Sequence, residues 1–283
     1  MNGILLIDKE KDMTSRDVVN ILSKKFNTKK IGHFGTLDPL ATGLLVVGVG
    51  AYTKVQPLFL DESKEYDVEV LVGVSTDTYD ITGNILEKKN ISVDENELKK
   101  YLASFKGNYL QEVPIYSAVK KDGKKLYEYA RNGEEVSLPK RDVDIFDIKY
   151  NGLFERCGNI YFSFSCFVSK GTYIRSLVND LSKKLNIPMC MSNLRRVKCG
   201  CFSLDNAVSL NNISDDNYKF LTVKDFLDVK VMEIPDHLYK YVINGSLIDK
   251  ISDNYVLFTY DGVDIFLYGP FGDKMKPYLT FKK

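Results

Sequence analysis

The sequence predicts an α+β protein in which helices and strands follow one another along the chain. Apolar residues recur at helical spacing over 18–26 and again over 174–185, as expected of amphipathic helices with one buried face. Apolar and polar residues alternate over 66–72 and 160–166, which is typical of half-buried strands. At 283 residues the chain is long enough for one large domain, or for one large and one small domain.

The elements can be assigned in order from local signals. A short apolar strand covers 4–7, and Thr14 with Asp17 three residues later predicts a capping box at the start of the first helix. The apolar run 44–47 predicts a buried strand. Further predicted elements are a polar loop at 73–80, a helix capped within 92–95 and ended by Gly107, strands at 141–153, 159–168, 254–258 and 263–267, and a helix from Leu238 to Ile243.

Composition and charge exclude several classes of protein. No apolar run approaches the ~18 residues of a membrane-spanning helix, and the first residues lack the basic region and cleavage site of a signal peptide. Five scattered cysteines argue against a disulfide framework. With only two histidines and no Cys-x-x-Cys pattern we expect no metal site. A cytoplasmic protein fits these features, and the net charge of +1 neither indicates nor excludes a nucleic-acid partner.

Residues 32–43, here called the signature loop, carry the most informative pattern in the chain. They combine three glycines, two threonines, one histidine, one proline and a single acid, Asp38. Pro39 disfavours the helical conformation at Asp38, and the buried strand at 44–47 follows at once. Catalytic groups concentrate on loops held by a rigid scaffold, but an aspartate before proline also commonly stabilises a plain turn. The residues alone leave both interpretations open.

The order of residues in the signature loop resembles the bacterial tRNA pseudouridine synthase B (TruB) family. Further matching motifs are Asp8-Lys9, Thr14-Ser15, Lys64-x-Tyr66, the segments 114–120 and 123–131, Lys170–Ser176 and Leu194-Arg195-Arg196. The resemblance covers residues 3–200 and extends more loosely to the end of the chain. It implies an enzyme that isomerises the uridine at position 55 in the T loop of tRNA. The implied fold is a mixed, mainly antiparallel sheet with flanking helices, followed by a small C-terminal β-rich PUA-like domain.

The resemblance also implies roles for four residues. Asp38 matches the catalytic aspartate, Tyr66 the tyrosine that stacks on the target base, Arg175 the arginine that pairs with the aspartate, and Leu194 a wall against the flipped base. That Tyr66 also handles a proton is our hypothesis. Arg175 falls in the first turn of a predicted helix, where the helix dipole favours anions, so an acidic partner explains it better than helix stability. Without the resemblance, Tyr66 also fits a strand-end tyrosine with its hydroxyl in water, and Arg175 a surface arginine.

Four further residues are candidates for substrate binding: His33, Lys9, Tyr173 and Lys120. Lys9 fits either a phosphate contact or a plain surface lysine, and His33 either extrudes the base or makes a structural hydrogen bond. The family's Leu-Arg-Arg segment further implies that Arg195 and Arg196 approach RNA.

We expect a catalytic domain over 1–229, with an RNA-gripping thumb inserted at about 120–142, and a PUA-like RNA-binding domain over 230–283. Charge pattern alone favours a solvated, lysine-rich hairpin at the thumb. The expected partner is the T arm of tRNA, bound by a monomer that needs no membrane, metal or cofactor.

The chemistry fits a single carboxylate. Breaking and remaking a glycosidic bond calls for a nucleophile or for a group that stabilises positive charge at the sugar, and the residues do not decide whether Asp38 attacks the base or the sugar. Two other classes stay open: a non-catalytic RNA-binding or RNA-folding protein, and a nucleoside glycosidase. The glycosidase would normally need two carboxylates across the scissile bond.

Overall fold

The chain is described by a computed structural model that covers residues 1–55 and 63–281. The predicted α+β class is confirmed, since a large mixed sheet is flanked by helices and followed by a smaller sheet. The helices are α1 (Ser15–Lys25), α2 (Glu95–Ala103), α3 (Leu126–Asn132), α4 (Ile174–Leu185), α5 (Leu210–Ser214) and α6 (Asp236–Ile243). No helix in the described part is long and apolar enough to cross a membrane.

The strands divide between the two sheets and two short hairpins. They are β1 (Gly3–Lys9), β2 (Ile31–Phe34), β3 (Thr42–Val49), β4 (Lys64–Val72), β5 (Val74–Thr76), β6 (Ile85–Lys88), β7 (Gly107–Glu112), β8 (Lys120–Lys121), β9 (Lys124–Lys125), β10 (Lys140–Arg156), β11 (Asn159–Val168), β12 (Met189–Cys199), β13 (Phe202–Ser203), β14 (Val229–Glu233), β15 (Ile248–Asp249), β16 (Tyr255–Tyr260), β17 (Val263–Phe271) and β18 (Lys274–Thr280).

The large sheet places the motif-bearing strands side by side. Its order is β1-β3-β12-β4-β11-β10-β7, with β2 paired to β3 and β13 to β12. The β12–β3 pair is parallel and the other pairs in this sheet are antiparallel. The signature loop therefore enters the sheet on β3. The neighbouring strand β12 carries Leu194, and β4 on the far side of β12 carries Tyr66.

Three helices cover one face of the large sheet. Buried residues of α1, α2 and α4, among them Leu22, Leu102 and Leu181, join one apolar cluster with the inward side chains of β4 and β11. The capping box predicted for α1 is confirmed: the Thr14 side chain accepts from Asp17 N, and the Asp17 carboxylate accepts from Thr14 N. This packing fixes α4, which carries Arg175, against β12 and β7.

The smaller sheet has the order β14-β16-β17-β18-β15 and fits the PUA-like domain expected at the C-terminus. The turn predicted between its strands is confirmed, because Asp261 and Gly262 both adopt positive φ between β16 and β17. Apolar side chains of this sheet, including Leu257 and Leu267, pack with Ile4 and Leu44 of the large sheet. The boundary at 229/230 remains a prediction, and the smaller sheet begins at Val229.

The cap predicted within 92–95 is confirmed, since Asp94 caps α2 and its carboxylate accepts from the amides of residues 96 and 97. Two other local predictions were wrong. The helix α2 ends at Ala103, and Gly107 instead begins β7, because a positive φ at that glycine redirects the chain into the sheet. The segment 73–80 is not only loop, since β5 pairs with β6.

The thumb segment, residues 120–142, contains the β8–β9 hairpin and α3. Lys124 pairs with Glu134 and lies over the ring of Tyr129. The last residues of the segment already belong to β10 of the large sheet. The thumb segment is thus a short hairpin and a helix that lie in the chain between β7, the edge strand of the large sheet, and β10.

Candidate active site

The centre of the site is an ion pair between the signature loop and α4. Arg175 Nε lies 2.9 Å from Asp38 Oδ2, and Arg175 Nη2 donates to Asp38 Oδ1 at 3.2 Å. Two guanidinium nitrogens thus contact the two carboxylate oxygens, a geometry that fixes orientation as well as charge. The loop itself is anchored at Leu37, whose amide and carbonyl both bond the buried Ser15 hydroxyl.

Arg175 is held in place by more than Asp38. Its side chain is 7% exposed, and it donates to the carbonyl oxygens of Thr78 and Tyr116 at 3.4 and 3.1 Å. A second carboxylate, Asp80, lies 4.0 Å from Arg175 Nε. These partners offset the cost of a cation in the first turn of α4.

The second acid is already occupied by other donors. Asp80 Oδ1 accepts from the Thr82 amide, the Thr82 hydroxyl and the Thr78 hydroxyl, and the Asp80 side chain is buried. A carboxylate with these fixed partners is suited to holding Arg175 rather than to reacting. The Asp38 side chain, by contrast, is 36% exposed and faces an open space.

That space is a cavity of about 460 Å³. Asp38 is the sole acid among the described residues that line it. The lining includes Asp38, Tyr66, Tyr116, Tyr173, Arg175, Leu194 and Arg196. The structure therefore brings together the four residues expected at the centre of the site, with Tyr173 at the same cavity.

Tyr66 forms a wall of this cavity from within the sheet. It is 7% exposed, and its cross-strand neighbours are Cys166 on β11 and Arg196 on β12. Burial raises the pKa of the Tyr66 hydroxyl, and the Arg196 guanidinium opposes that rise. The hydroxyl therefore stays protonated at neutral pH. The alternative with the hydroxyl in open water is wrong, because the side chain is buried.

The two arginines of the Leu-Arg-Arg segment both bond to other parts of the protein, and Arg196 also lines the cavity; their approach to RNA stays a prediction. Arg195 pairs with both carboxylate oxygens of Asp8, at 3.1 and 2.7 Å. Arg196 is 1% exposed and donates to the carbonyl oxygens of Leu44 and Gly35. Alternation along β12 sends these neighbours to opposite faces of the sheet, so one braces β1 and the other braces the signature loop.

Lys9 is neither a surface lysine nor placed for a phosphate. It is fully buried, and its ammonium donates to the carbonyl oxygens of Glu10, Met13 and Pro39 at 2.8, 2.7 and 3.4 Å. Burial lowers the pKa of Lys9 to about 8, against the opposing effect of nearby Asp38. Its ammonium ties the end of β1 to the residue that follows Asp38.

His33 and Lys120 lie outside the residues that line the cavity. His33 is part of β2 rather than a loop, and its buried Nδ1 has no hydrogen-bond partner among the described residues. Burial lowers the pKa of His33, and the cations Arg16 and Arg196 lower it further, so the imidazole is neutral at pH 7. Lys120 is an exposed residue of the β8–β9 hairpin.

Sequence reasoning missed the residue that holds Tyr173. Gln111 on β7 is fully buried, accepts from Tyr173 N at 2.7 Å and donates to Tyr173 O at 3.1 Å. Tyr173 is the N-cap of α4 and has no side-chain cap of its own. A buried glutamine that binds both main-chain groups therefore sets the start of α4, two residues before Arg175. The sequence signal that could have identified Gln111 is a polar residue within a strand, just before the matching motif at 114–120.

The comparisons with known proteins agree with this geometry. Residues 23–174 match the model for the TruB family pseudouridylate synthase N-terminal domain, which covers more than half of the chain. The chain belongs to the TruB pseudouridylate synthase family. It is 42% identical over 261 residues to a Bacillus pumilus protein named tRNA pseudouridine synthase B, covering 91% of this chain and 84% of that protein.

Other relatives and structures agree on the family and the fold. A tRNA pseudouridine synthase B from Caldicellulosiruptor saccharolyticus is 42% identical, with 87% of this chain and 83% of that protein covered. A chain from a Cbf5-Nop10-Gar1 complex superposes with a TM-score of 0.69 at 21% identity, covering 99% of this chain and 84% of that one. A chain from an H/ACA RNP bound to a substrate RNA containing 2′-deoxyuridine gives 0.68 at 19% identity, with 99% and 85% covered. At these identities the two structures establish the shared fold alone.

No group of three His, Cys, Asp or Glu side chains in the described ranges is arranged to hold a metal ion. The expectation that the reaction needs neither metal nor cofactor stays a prediction.

Proposed function

We propose that this protein isomerises uridine to pseudouridine at position 55 in the T loop of tRNA. The observation that carries the proposal is a single, partly exposed carboxylate, Asp38, fixed by Arg175 at a cavity that also contains Tyr66 and Leu194. Family membership supports the reaction class, and the name shared by the relatives supports the tRNA substrate.

The reaction balances without a co-reactant. The bond from N1 of uracil to C1′ of the ribose breaks, the base turns within the cavity, and a bond from C5 to C1′ forms. One proton leaves C5 and one is gained at N1, so that substrate and product are isomers. Asp38 acts as the nucleophile: a bond from its carboxylate oxygen to the substrate forms before the base turns and breaks again as the product forms, so the enzyme is regenerated. The carboxylate also stabilises positive charge that develops at the sugar.

Arg175 and Tyr66 complete the machinery. Arg175 pairs with the Asp38 carboxylate and holds it at the cavity through two hydrogen-bonding nitrogens. Tyr66 stacks on the uracil ring and, with a protonated hydroxyl beside Arg196, serves as the proton-handling group.

The target base has to leave its stack to reach Asp38. Flipping a nucleotide out of a folded loop costs on the order of a few kcal/mol. Stacking of the base on the Tyr66 ring contributes ~1–3 kcal/mol towards this cost. Leu194, on the neighbouring strand β12, adds an apolar wall to the same cavity. We assign catalysis to residues 1–229, grip on the T arm to the thumb segment, and further RNA contact to the PUA-like domain at 230–283, all within a monomer.

The site offers less to the two other classes. A nucleoside glycosidase would need a second free carboxylate across the bond. The other carboxylate beside Arg175, that of Asp80, is buried and bound by three donors. In a protein that only binds RNA, a carboxylate fixed at the cavity would not add affinity, because RNA is itself an anion.

The test is incubation of the protein with unmodified T-arm RNA, followed by carbodiimide mapping of pseudouridine. We expect modification at position 55 and none in a matched RNA with cytidine there. Tight binding without conversion would favour the RNA-binding protein, and release of free uracil would favour the glycosidase. Either result would overturn the proposal.

A further inference from the structure

Arg141 is a cation at the rim of the catalytic cavity with no role assigned above. It lies on β10, opposite Gln111 in the strand register. It shares its side of the strand with the buried residues Val143 and Ile145, so it points towards the cavity side of the sheet. Its guanidinium carbon lies 5.5 Å from the ring centre of Tyr173, which lines the cavity.

The guanidinium of Arg141 is held in position by its surroundings. Tyr173 is fixed through both of its main-chain polar groups by the buried Gln111. Gly171, another cavity residue, approaches so closely that a side chain there would meet Arg141 Nη1 at 3.0 Å. A stacked guanidinium on a fixed ring loses little further freedom when it binds a ligand.

The charge of Arg141 is not neutralised by any acid among the described residues. Within residues 1–55 and 63–281 it makes no ion pair, unlike Arg175 and Arg195, which each hold an aspartate. Its sequence neighbour Asp142 is exposed and points to the opposite side of the strand. A half-buried arginine without an acidic partner at a cavity mouth is suited to an anion that arrives with the substrate.

We infer that Arg141, stacked on Tyr173, binds a backbone phosphate that flanks the flipped uridine. This inference rests on the proposed function and adds a substrate subsite to it. When the base enters the cavity, its sugar and the phosphates on either side stay at the rim, where Arg141 and Tyr173 lie. The planar fork of a guanidinium matches two phosphate oxygens, whereas a lysine offers a single point charge.

The experiment combines a protein change with a chemical change in the RNA. T-arm RNAs carrying one uncharged methylphosphonate, either 5′ or 3′ of nucleotide 55, are compared with unsubstituted RNA for binding and for single-turnover conversion. The proteins are wild type, Arg141→Gln and Arg141→Lys. Arg156→Gln is the matched control, because Arg156 lies on the same strand and also stacks on a ring, that of Tyr161, at 4.5 Å.

For wild type, we expect one of the two methylphosphonates to weaken binding about tenfold, the scale of one lost charge-assisted hydrogen bond. The same RNA should bind Arg141→Gln no more weakly than unsubstituted RNA does. Arg141→Gln should also lower the slope of log affinity against log salt by about one. Arg141→Lys should keep the salt slope but lose part of the affinity, and Arg156→Gln should behave as wild type.

An equal methylphosphonate effect in wild type and Arg141→Gln would overturn the inference, as would no effect at either phosphate. Should Arg141→Gln unfold, the same comparison is made with Arg141→Met, which removes the charge but keeps an unbranched side chain to pack on the Tyr173 ring. A failure of the inference about Arg141 can be distinguished from a failure of the proposed function. Conversion of unsubstituted RNA tests the reaction, whereas the paired binding losses test Arg141 even in a protein that does not convert it.

Discussion

The cavity and the thumb segment each contain a close ion pair, and the two pairs differ in what surrounds them. In the cavity, Arg175 lies 2.9 Å from Asp38, and the Arg175 side chain is 7% exposed. In the thumb, Lys124 lies 2.6 Å from Glu134, and their side chains are 29% and 46% exposed. The longer contact belongs to the pair that we place in the catalytic machinery.

The distance between nitrogen and oxygen therefore does not decide which ion pair is important for the reaction. Arg175 is also bound by two carbonyl oxygens and lies near a second carboxylate, so its removal would leave several buried groups without a partner. The hydrogen bond from Lys124 lowers the pKa of Glu134, but water replaces that partner readily at an exposed site. We expect buried charge to serve chemistry and exposed charge to tune RNA affinity.

The largest effect that sharpens this contrast is expected for Arg175→Met. Loss of the guanidinium leaves Asp38 unpaired and misplaced, which should lower single-turnover conversion by at least about 100-fold. The free energy of unfolding should fall by about 3 kcal/mol, at the lower end for a buried pair because Asp38 is partly hydrated. Urea unfolding and single-turnover assays measure the two effects.

The control for that change is Arg156→Met, which breaks an exposed pair with Glu69. Both measurements should match wild type within error, since exposed pairs contribute little. Arg175→Lys should recover part of the stability but less of the activity, because the charge returns without the two-nitrogen contact. Equal losses in the Arg175 and Arg156 variants would contradict the comparison.

A smaller effect is expected at Lys9, the buried cation beside the signature loop. Its pKa falls from 10.5 to about 8 on folding, so between those pH values the unfolded chain binds the additional proton and stability rises with pH. The unfolding free energy of wild type relative to Lys9→Met should therefore grow by roughly 3 kcal/mol from pH 8 to pH 10.5. Denaturant unfolding of both proteins across this range gives the difference, and a constant difference would refute the burial of a charged Lys9.

The smallest effect is expected in the thumb, for Lys124→Gln. Stability and the rate of the bound reaction should not change, because the pair with Glu134 is exposed. RNA binding at low salt should weaken slightly, with the salt slope reduced by no more than about one. A large loss of single-turnover rate at saturating protein would instead place Lys124 in the chemistry and break the contrast.

The sequence predicts a contiguous motif better than it predicts contacts that the fold creates between distant strands, for a physical reason. The signature loop is a contiguous motif, and its residue order carries the family resemblance, so Asp38 could be singled out as a candidate without coordinates. Arg195 and Arg196 look alike in sequence, and only the alternation of β12 together with the paired strands decides that one meets Asp8 and the other the carbonyl of Gly35.

Burial of polar side chains was the part that could not be predicted. Lys9 stands beside Glu10 and near Asp12 and has the local pattern of a surface residue, but the fold closes Pro39 over its ammonium. Gln111 bonds Tyr173, which is 62 residues away in the chain. Such contacts depend on packing between distant elements, so the sequence can draw attention to a polar residue within a strand but does not indicate its partner.

The central claim is that one carboxylate performs the chemistry, and Asp38→Asn tests it most directly. Asparagine keeps the shape of the side chain and removes its charge. The measurement is release of tritium from C5 of uridine 55 in T-arm RNA, alongside the dissociation constant for the same RNA. We predict that tritium release falls by at least about 1,000-fold, the scale of losing one member of a catalytic unit, while the dissociation constant stays close to that of wild type. Tritium release by Asp38→Asn at a rate near that of wild type would contradict the account.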